Sequence, residues 1–445
     1  MLDIKFIREN KEKVQEAAKN KGIDLDVNEL LKIDEKRREL IQQSEDVRAQ
    51  QKKLGKDGIE KAKKLKEQFR KLEAELKEAE DKFESLMIKA PTVPSLDTPV
   101  GKDDSENVEV MKWGEIPQFD FEPKTHIELG QALDILDIEQ GTKVGGYRGY
   151  YVKNDGVLLM MGFLMHALQK MSARGYAPMI PPTLVKGWPL FGSGYFKGKE
   201  YDPEIDEIYQ VATGDKEADG SYSGEKKFLV GTAEPSLLAY FSDKVLDEKE
   251  LPLKVCGYSQ CYRSEIGSYG KDTKGIYRVH EFMKIEQVVV SHADAAEADK
   301  LQEEMTGISQ ELHKDLGLPF RVLQICTGDM SAGKYKAFDI EAWMPGLNKY
   351  GETGSASNFL DWQARRLNIK YKDGEGNKKF AYLLNNTALA SPRTFIAILE
   401  NYQQKDGSVV VPKVLRPYLG GKERIIANRT NPSQPPLPPT GGQVS

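Results

Sequence analysis

The chain has 445 residues, 39% of them hydrophobic and 30% charged, with a formal net charge of −5. That length exceeds one ordinary compact domain, and the composition is that of a globular chain with one highly charged part. The weak negative charge excludes a global basic field for nucleic acid, so any such contact has to be local.

Cys256, Cys261 and Cys326 form no CxxC pair, and their odd number makes no disulfide framework, which suits a reducing compartment. The opening MLDIKFIRENKEKV is charged throughout, unlike a secretory signal, and no apolar run approaches a membrane span. The expectation is a cytoplasmic protein with no membrane partner.

Residues 1–90 lack proline and are densely charged. Leu65, Phe69, Leu72, Leu76, Ala79, Phe83 and Leu86 repeat at alternating spacings of four and three, a heptad seam. Leu30, Ile33, Leu40, Val47 and Leu54 fit the same frame upstream, with Arg37, Ser44 and Gln51 at its other positions. GKDG at 55–58 separates the two seams and suits a turn. These features predict an antiparallel two-helix coiled-coil hairpin, each long helix spanning roughly 40 Å. Lys52, Lys53, Lys56, Lys63 and Lys64 crowd its tip. They suit either a solvated coiled-coil face or a grip on a phosphate backbone.

Residues 91–106, rich in Pro, Asp and Ser, read as a linker, and 107–420 as a mixed globular unit. Residues 421–445, ending NPSQPPLPPTGGQVS, cannot pack a core and read as a disordered tail.

Within the globular unit, LVGTAEPSL (229–237) places Thr232 and Glu234 after an apolar strand. In CYRSEIGSYGKDTKGIYRVHEFMKIE (261–286), strand alternation puts Arg263 and Glu265 on one face. Arg278, His280, Phe282, Lys284 and Glu286 share a face on the second segment, while Val279, Met283 and Ile285 turn to a core. A face of arginines, glutamates and one ring suits a ligand with an anionic centre, a flat base and an ammonium group. An exposed hairpin with surface salt bridges has the same pattern. ETGSASNFLDWQARR (352–366) offers Glu352 and Ser355 as hard oxygen ligands of the kind Mg²⁺ takes alongside substrate phosphates. NNTALASPRTFIAILENYQ (385–403) leads through small residues to Arg393 at the start of an apolar helix, a plausible phosphate site.

Together and in this order, these segments resemble class II aminoacyl-tRNA synthetases, and residues 1–420 resemble the seryl-tRNA synthetase family. RGYAPMIPP (174–182) is similar to class motif 1, the 261–286 stretch to motif 2 and TALASPRTFIAILENYQ to motif 3. Gly354 stands where members often carry serine, and Ala388, Ala390 and Pro392 stand at the class-wide glycines of motif 3.

The resemblance implies an α+β fold: an antiparallel-sheet class II catalytic domain preceded by the long two-helix arm. It implies an ATP-dependent, AMP-forming serine–tRNA ligase that makes seryl-adenylate and then charges tRNA(Ser), leaving selenocysteine tRNA open as a second acceptor. Arg263 and Arg393 would be the catalytic cations. ATP would meet Arg263, Glu265, Arg278, Val279, Phe282, Glu352, Ser355 and Arg393. Phe282 would stack under adenine, Glu265 accept from its amino group, and Arg393 cover the other face. Serine would meet Thr232, Glu234, Arg263, Glu286, Asn385 and Thr387. Glu352 and Ser355 would hold Mg²⁺, with no zinc. A homodimer is implied, with Lys52, Lys53, Lys56, Lys63 and Lys64 on tRNA. The loop at 268–275 is expected to be mobile without ligand. The alternative is a paralogue that loads an amino acid onto a carrier protein.

Overall fold

The computed structural model describes residues 1–53, 59–266 and 275–427. The GKDG turn, Leu54, Lys56, most of the 268–275 loop and residues 428–445 of the expected tail lie outside the described residues.

Two short helices, α1 (Ile4–Glu9) and α2 (Lys11–Asn20), precede two long ones, α3 (Val27–Lys53) and α4 (Ile59–Lys89). The heptad seam folds as expected. Leu40, Val47, Leu65, Leu72 and Ala79 make one buried cluster along the hairpin. The Arg37 guanidinium lies 4.6 Å from the Phe83 ring and Arg48 4.7 Å from Phe69, which sets the helices antiparallel. At the base, Val27, Leu30 and Met87 join Ile7, Val14 and Ala18 of the short helices in a second cluster. Buried Asp34 gathers Arg8, Arg37 and Arg38 there.

The globular unit is built on an eight-stranded sheet. Its strands are β1 (Val108–Trp113), β2 (Ala177–Met179), β3 (Leu253–Tyr262), β4 (Glu281–Ser291), β5 (Phe320–Gln324), β6 (Lys336–Met344), β7 (Lys349–Asn358) and β8 (Tyr382–Ala390). The order is β1-β5-β6-β7-β8-β4-β3-β2, and only the β2–β3 pair is parallel. The helices that matter for the site are α5 (His126–Ala132), α6 (Asp155–Ala173), α7 (Glu234–Ala239), α8 (Ala295–Asp315), α9 (Trp362–Leu367) and α10 (Ser391–Asn401).

Alternation along β4 decides what each face does. Ile285 and Val289 enter the main core with Met305 and Ile308 of α8 and Phe395 and Ile398 of α10. Val288 and Val290 face the other way, against Leu237 and Leu238 of α7 and Ala364 and Leu367 of α9. Before Val288 on this strand come Phe282, Lys284 and Glu286, which line the hollows described below. The cleft opens there.

The N-terminal helices dock on this unit. Lys21, just past α2 and buried, donates to the carbonyls of Lys334 (2.6 Å), Ala332 (3.2 Å) and Ser331 (3.4 Å). Trp362 Nε1 donates to Ala90 O, and Arg366 to Ile88 O. In the expected linker, Thr92 N donates to Ala332 O and Ser95 N to Tyr335 O. The start of the expected tail is ordered too: Arg424–Ile425 pairs with Val409–Val410 and buries Ile425. Among the described residues no helix is long and apolar enough to cross a membrane.

Candidate active site

The two polar segments of the hairpin meet, though not as strands. Arg263, Glu265, Arg278 and His280 all lie beyond the strand ends, where the sequence pattern had put them inside. Pairing continues for one step, with Arg263 N donating to His280 O at 3.0 Å, and then stops. Glu265 has φ of +54°, a left-handed conformation incompatible with alternation and invisible in a sequence pattern. His280 Nδ1 contacts Arg263 O at 2.8 Å, so it braces the backbone.

Side chains nonetheless converge. The Arg263 guanidinium lies 5.4 Å from the centroid of the Phe282 ring. Both line one cleft with Glu265, Tyr277, Arg278, Val279, Glu352, Thr387 and Arg393. Arg278 donates to Glu265 Oε2 at 3.0 Å. Arg393, in the first turn of α10, donates to Tyr277 O (3.2 Å), Glu352 O (2.8 Å) and Glu352 Oε2 (3.1 Å), with its guanidinium 4.4 Å from the Tyr277 ring. A flat, cation-rimmed hollow with an aromatic floor can take a nucleotide, its base on Phe282 and its phosphates among Arg263, Arg278 and Arg393.

Next to it lies a larger cavity of about 720 Å³ that shares Arg263, Lys284, Glu352 and Thr387. It also reaches Glu234, Glu286, Asn385, Ser355 and Lys334. Here polar side chains are buried and bonded to one another. Thr232, 1% exposed, donates to Glu286 Oε2 at 3.1 Å, and Thr387 Oγ1 lies 3.4 Å from the same oxygen. Lys284 pairs with Glu286 and reaches Thr387 Oγ1 at 3.2 Å. Glu234 accepts from Tyr195 Oη (3.0 Å), Gln363 Nε2 (2.7 Å) and Asn385 Nδ2 (2.7 Å). Burial, then the Glu286 charge, push the Glu234 carboxyl up to about 7. Two carboxylates backed by hydroxyl and amide groups can hold an ammonium group and a small hydroxyl.

Two β-bulges shape the junction between the hollows. One falls in the β6–β7 pairing, where Ile340 faces Gly354 and Glu341 faces Glu352, leaving Thr353 extra. The other falls in the β4–β8 pairing at Ala388, between Leu389 and Thr387. Gly354 lets the strands close up there, since a Cβ on it would stand 3.0 Å from Thr387 O. Asp339, across β6 from Ser355, hydrogen-bonds that serine side chain, and burial with the nearby Glu352 charge raises its carboxyl. Burial pushes Glu352 up as well, but the Arg393 and Arg263 charges outweigh it and hold the carboxyl below its ordinary value. Glu352 and Ser355 supply the hard, sparse oxygen set that fits Mg²⁺ with phosphate co-ligands.

Glu234, Arg263, Glu265, Arg278, Glu286, Glu352 and Arg393, singled out by the sequence pattern, line the two hollows. Lys284, Tyr195, Gln363, Lys334 and Asp339 come from four separate segments and carry no local pattern that would mark them. Lys52, Lys53, Lys63 and Lys64 are exposed near the distal end of the hairpin and line neither hollow.

Known proteins match at every level. The seryl-tRNA synthetase N-terminal domain model matches residues 1–94, and the class II core domain model for G, H, P, S and T matches residues 217–402. A serine–tRNA ligase of Treponema denticola is 42% identical over 435 residues, covering 94% of this chain and 99% of the relative. The seryl-tRNA synthetase of Pyrococcus horikoshii complexed with ATP superposes with a TM-score of 0.85 at 34% identity, covering 96% of this chain and 100% of that one. A cytoplasmic serine–tRNA ligase of Naegleria fowleri in complex with AMP gives 0.83 at 33%, covering 96% and 99%.

Proposed function

The chain belongs to the seryl-tRNA synthetases, and from that premise we propose how its cleft activates L-serine with ATP and passes the seryl group to the 3′ end of tRNA(Ser). One observation carries the reading. Arg263 and Lys284 stand at the wall shared by an aromatic-floored hollow and a pocket of buried glutamates, so an α-phosphate and a carboxylate can meet between them.

The serine carboxylate attacks the α-phosphorus, and pyrophosphate leaves. The nucleophile is already an anion, so the step needs no base. Arg263 is positioned for the carboxylate and α-phosphate, while Arg278 and Arg393 serve the distal phosphates. Phe282 carries the adenine. Glu286 and Glu234 take the ammonium group, with Thr232, Asn385 and Thr387 closing around the hydroxyl. Glu352 and Ser355 would hold Mg²⁺, which supplies charge neutralisation to the phosphates when bound. A ribose hydroxyl of the tRNA end then attacks the activated carbonyl: the ester bond forms, the bond from the carbonyl carbon to the phosphate oxygen breaks, AMP leaves, and the hydroxyl proton passes to the departing phosphate or to water.

The exposed lysines at the far end of the hairpin suit a sequence-independent grip on tRNA. An uncovered apolar stripe, Met161, Met165, Pro178, Met179 and Ile180, supports a homodimer. Carrier-protein loading is not favoured, because the chain matches serine–tRNA ligases through the arm as well as the core. ATP–pyrophosphate exchange screened across all twenty amino acids tests the assignment. Serine alone should support rapid exchange; exchange driven better by another amino acid overturns it.

A further inference from the structure

A buried acid–imidazole pair outside the cleft ties together the elements that carry its nucleotide side. Glu400, on α10 and 0% exposed, accepts three hydrogen bonds. Its Oε1 accepts from His126 N (2.9 Å) and faces His126 Nδ1 (2.8 Å), and its Oε2 accepts from Gly346 N (2.9 Å). His126 opens α5 and is 3% exposed. Its other ring nitrogen, Nε2, receives the Ile276 backbone N–H at 3.3 Å. A backbone N–H can only donate, so Nε2 is the bare nitrogen and Nδ1 carries the hydrogen to Glu400.

The fit at this contact is tight. Gly275 has φ of +72°, and a Cβ on it would stand 2.1 Å from His126 Nε2. A Cβ on Gly346 would stand 2.8 Å from Glu400 Oε1. Each tethered segment leads directly into the nucleotide hollow. Ile276 is followed by Tyr277, whose carbonyl and ring hold Arg393, and by Arg278, which is bonded to Glu265. Gly346 lies in the turn between β6 and β7, and β7 carries Glu352. Glu400 itself sits two turns along α10 from Arg393. None of these contacts involves Thr232, Glu234, Glu286 or Asn385.

We propose that His126 and Glu400 are positioning residues for ATP: the pair fixes the Gly275–Arg278 segment and the β6–β7 turn against α10, so that Arg278, Glu352 and Arg393 are presented as one set. The inference rests on reading the hollow as the ATP site of a serine-activating enzyme. The pair itself touches no substrate.

The test is calorimetric titration of the full chain with ATP, followed by exchange kinetics in which ATP and serine are varied separately. His126→Ala should weaken ATP binding and raise the KM for ATP by about ten- to a hundredfold, the scale of lost buried hydrogen bonds. The KM for serine should stay within about twofold, because the serine pocket keeps its own contacts. Gly275→Ala should reproduce this by displacing the ring, and Glu400→Gln by giving up an acceptor. His126→Gln, whose amide carbonyl can still accept from Ile276, should restore part of the affinity. Equal rises in both KM values, or ATP binding at the wild-type level in His126→Ala and Gly275→Ala, overturn the proposal. So does the failure of all these variants to fold, which makes the pair a structural one. ATP binding is read without any amino acid, so wild-type protein that binds ATP but activates another amino acid refutes the functional reading and leaves this result standing.

Discussion

Thr232 donates to Glu286 from a position 1% exposed, so removing its hydroxyl leaves a buried carboxylate oxygen short of one donor. Thr232→Ala should raise the KM for serine by about tenfold or more, on the scale of one buried hydrogen bond, and leave the KM for ATP nearly unchanged. Equal effects in pyrophosphate exchange would count against the pocket. Glu234 adds a pH dependence. Its folded-state pKa is raised from 4.5 to about 7, by burial first and the Glu286 charge second. The raised value contributes stability that is full below pH 4.5 and lost as pH rises through about 7. An ammonium group prefers the ionised form, so binding runs the other way. The KM for serine should fall as pH rises from about 6 to 8, and Glu234→Gln should flatten that profile. The residue types were legible in the sequence because each offers a chemistry that a core rejects. Two of the partners of Glu234 were not: Tyr195 and Gln363 reach it, beside Asn385, from segments far apart in the chain, and only the fold brings them together.

Among the elements, the helical hairpin was the most legible, because a heptad seam states its own packing partner. The strand ends were the least. Alternation carried Arg263 and Arg278 into strands that stop at Tyr262 and start at Glu281, and the left-handed Glu265 leaves no trace in a hydrophobic pattern. The hairpin also divides into two parts that a truncation can separate. The base cluster holds Leu30, Met87 and the short helices, whereas Leu40 to Ala79 form an independent seam. Joining Leu40 to Ala79 through a short glycine turn removes the exposed lysines and spares the base. That variant should make seryl-adenylate at nearly the wild-type rate and lose charging of tRNA(Ser). Undiminished charging would give the arm another purpose.

Across the whole molecule, the proposed homodimer rests on the apolar stripe along α6 and the end of β2. Met161, Met165 and Ile180 are 37%, 41% and 84% exposed around an apolar hollow of about 370 Å³. Sedimentation should give twice the chain mass of 50.0 kDa, and Ile180→Asp should shift it toward one copy. A wild-type sedimenting as one copy would remove the dimer.

The Lys21 ammonium has a consequence for exchange between relatives. Burial and the neighbouring Lys334 charge press its pKa down to about 7, while three carbonyls of the 331–334 segment surround its hydrogens. Lys334, at the end of that segment, lines the large cavity, as do Lys21 and Ile23. The N-terminal helices are thus part of the active-site wall rather than a handle bolted onto it. A chimaera that grafts the first ninety residues of one species onto the body of another must match at Ser331 to Lys334, Trp362 and Arg366, or it inherits a loosened pocket along with its new arm.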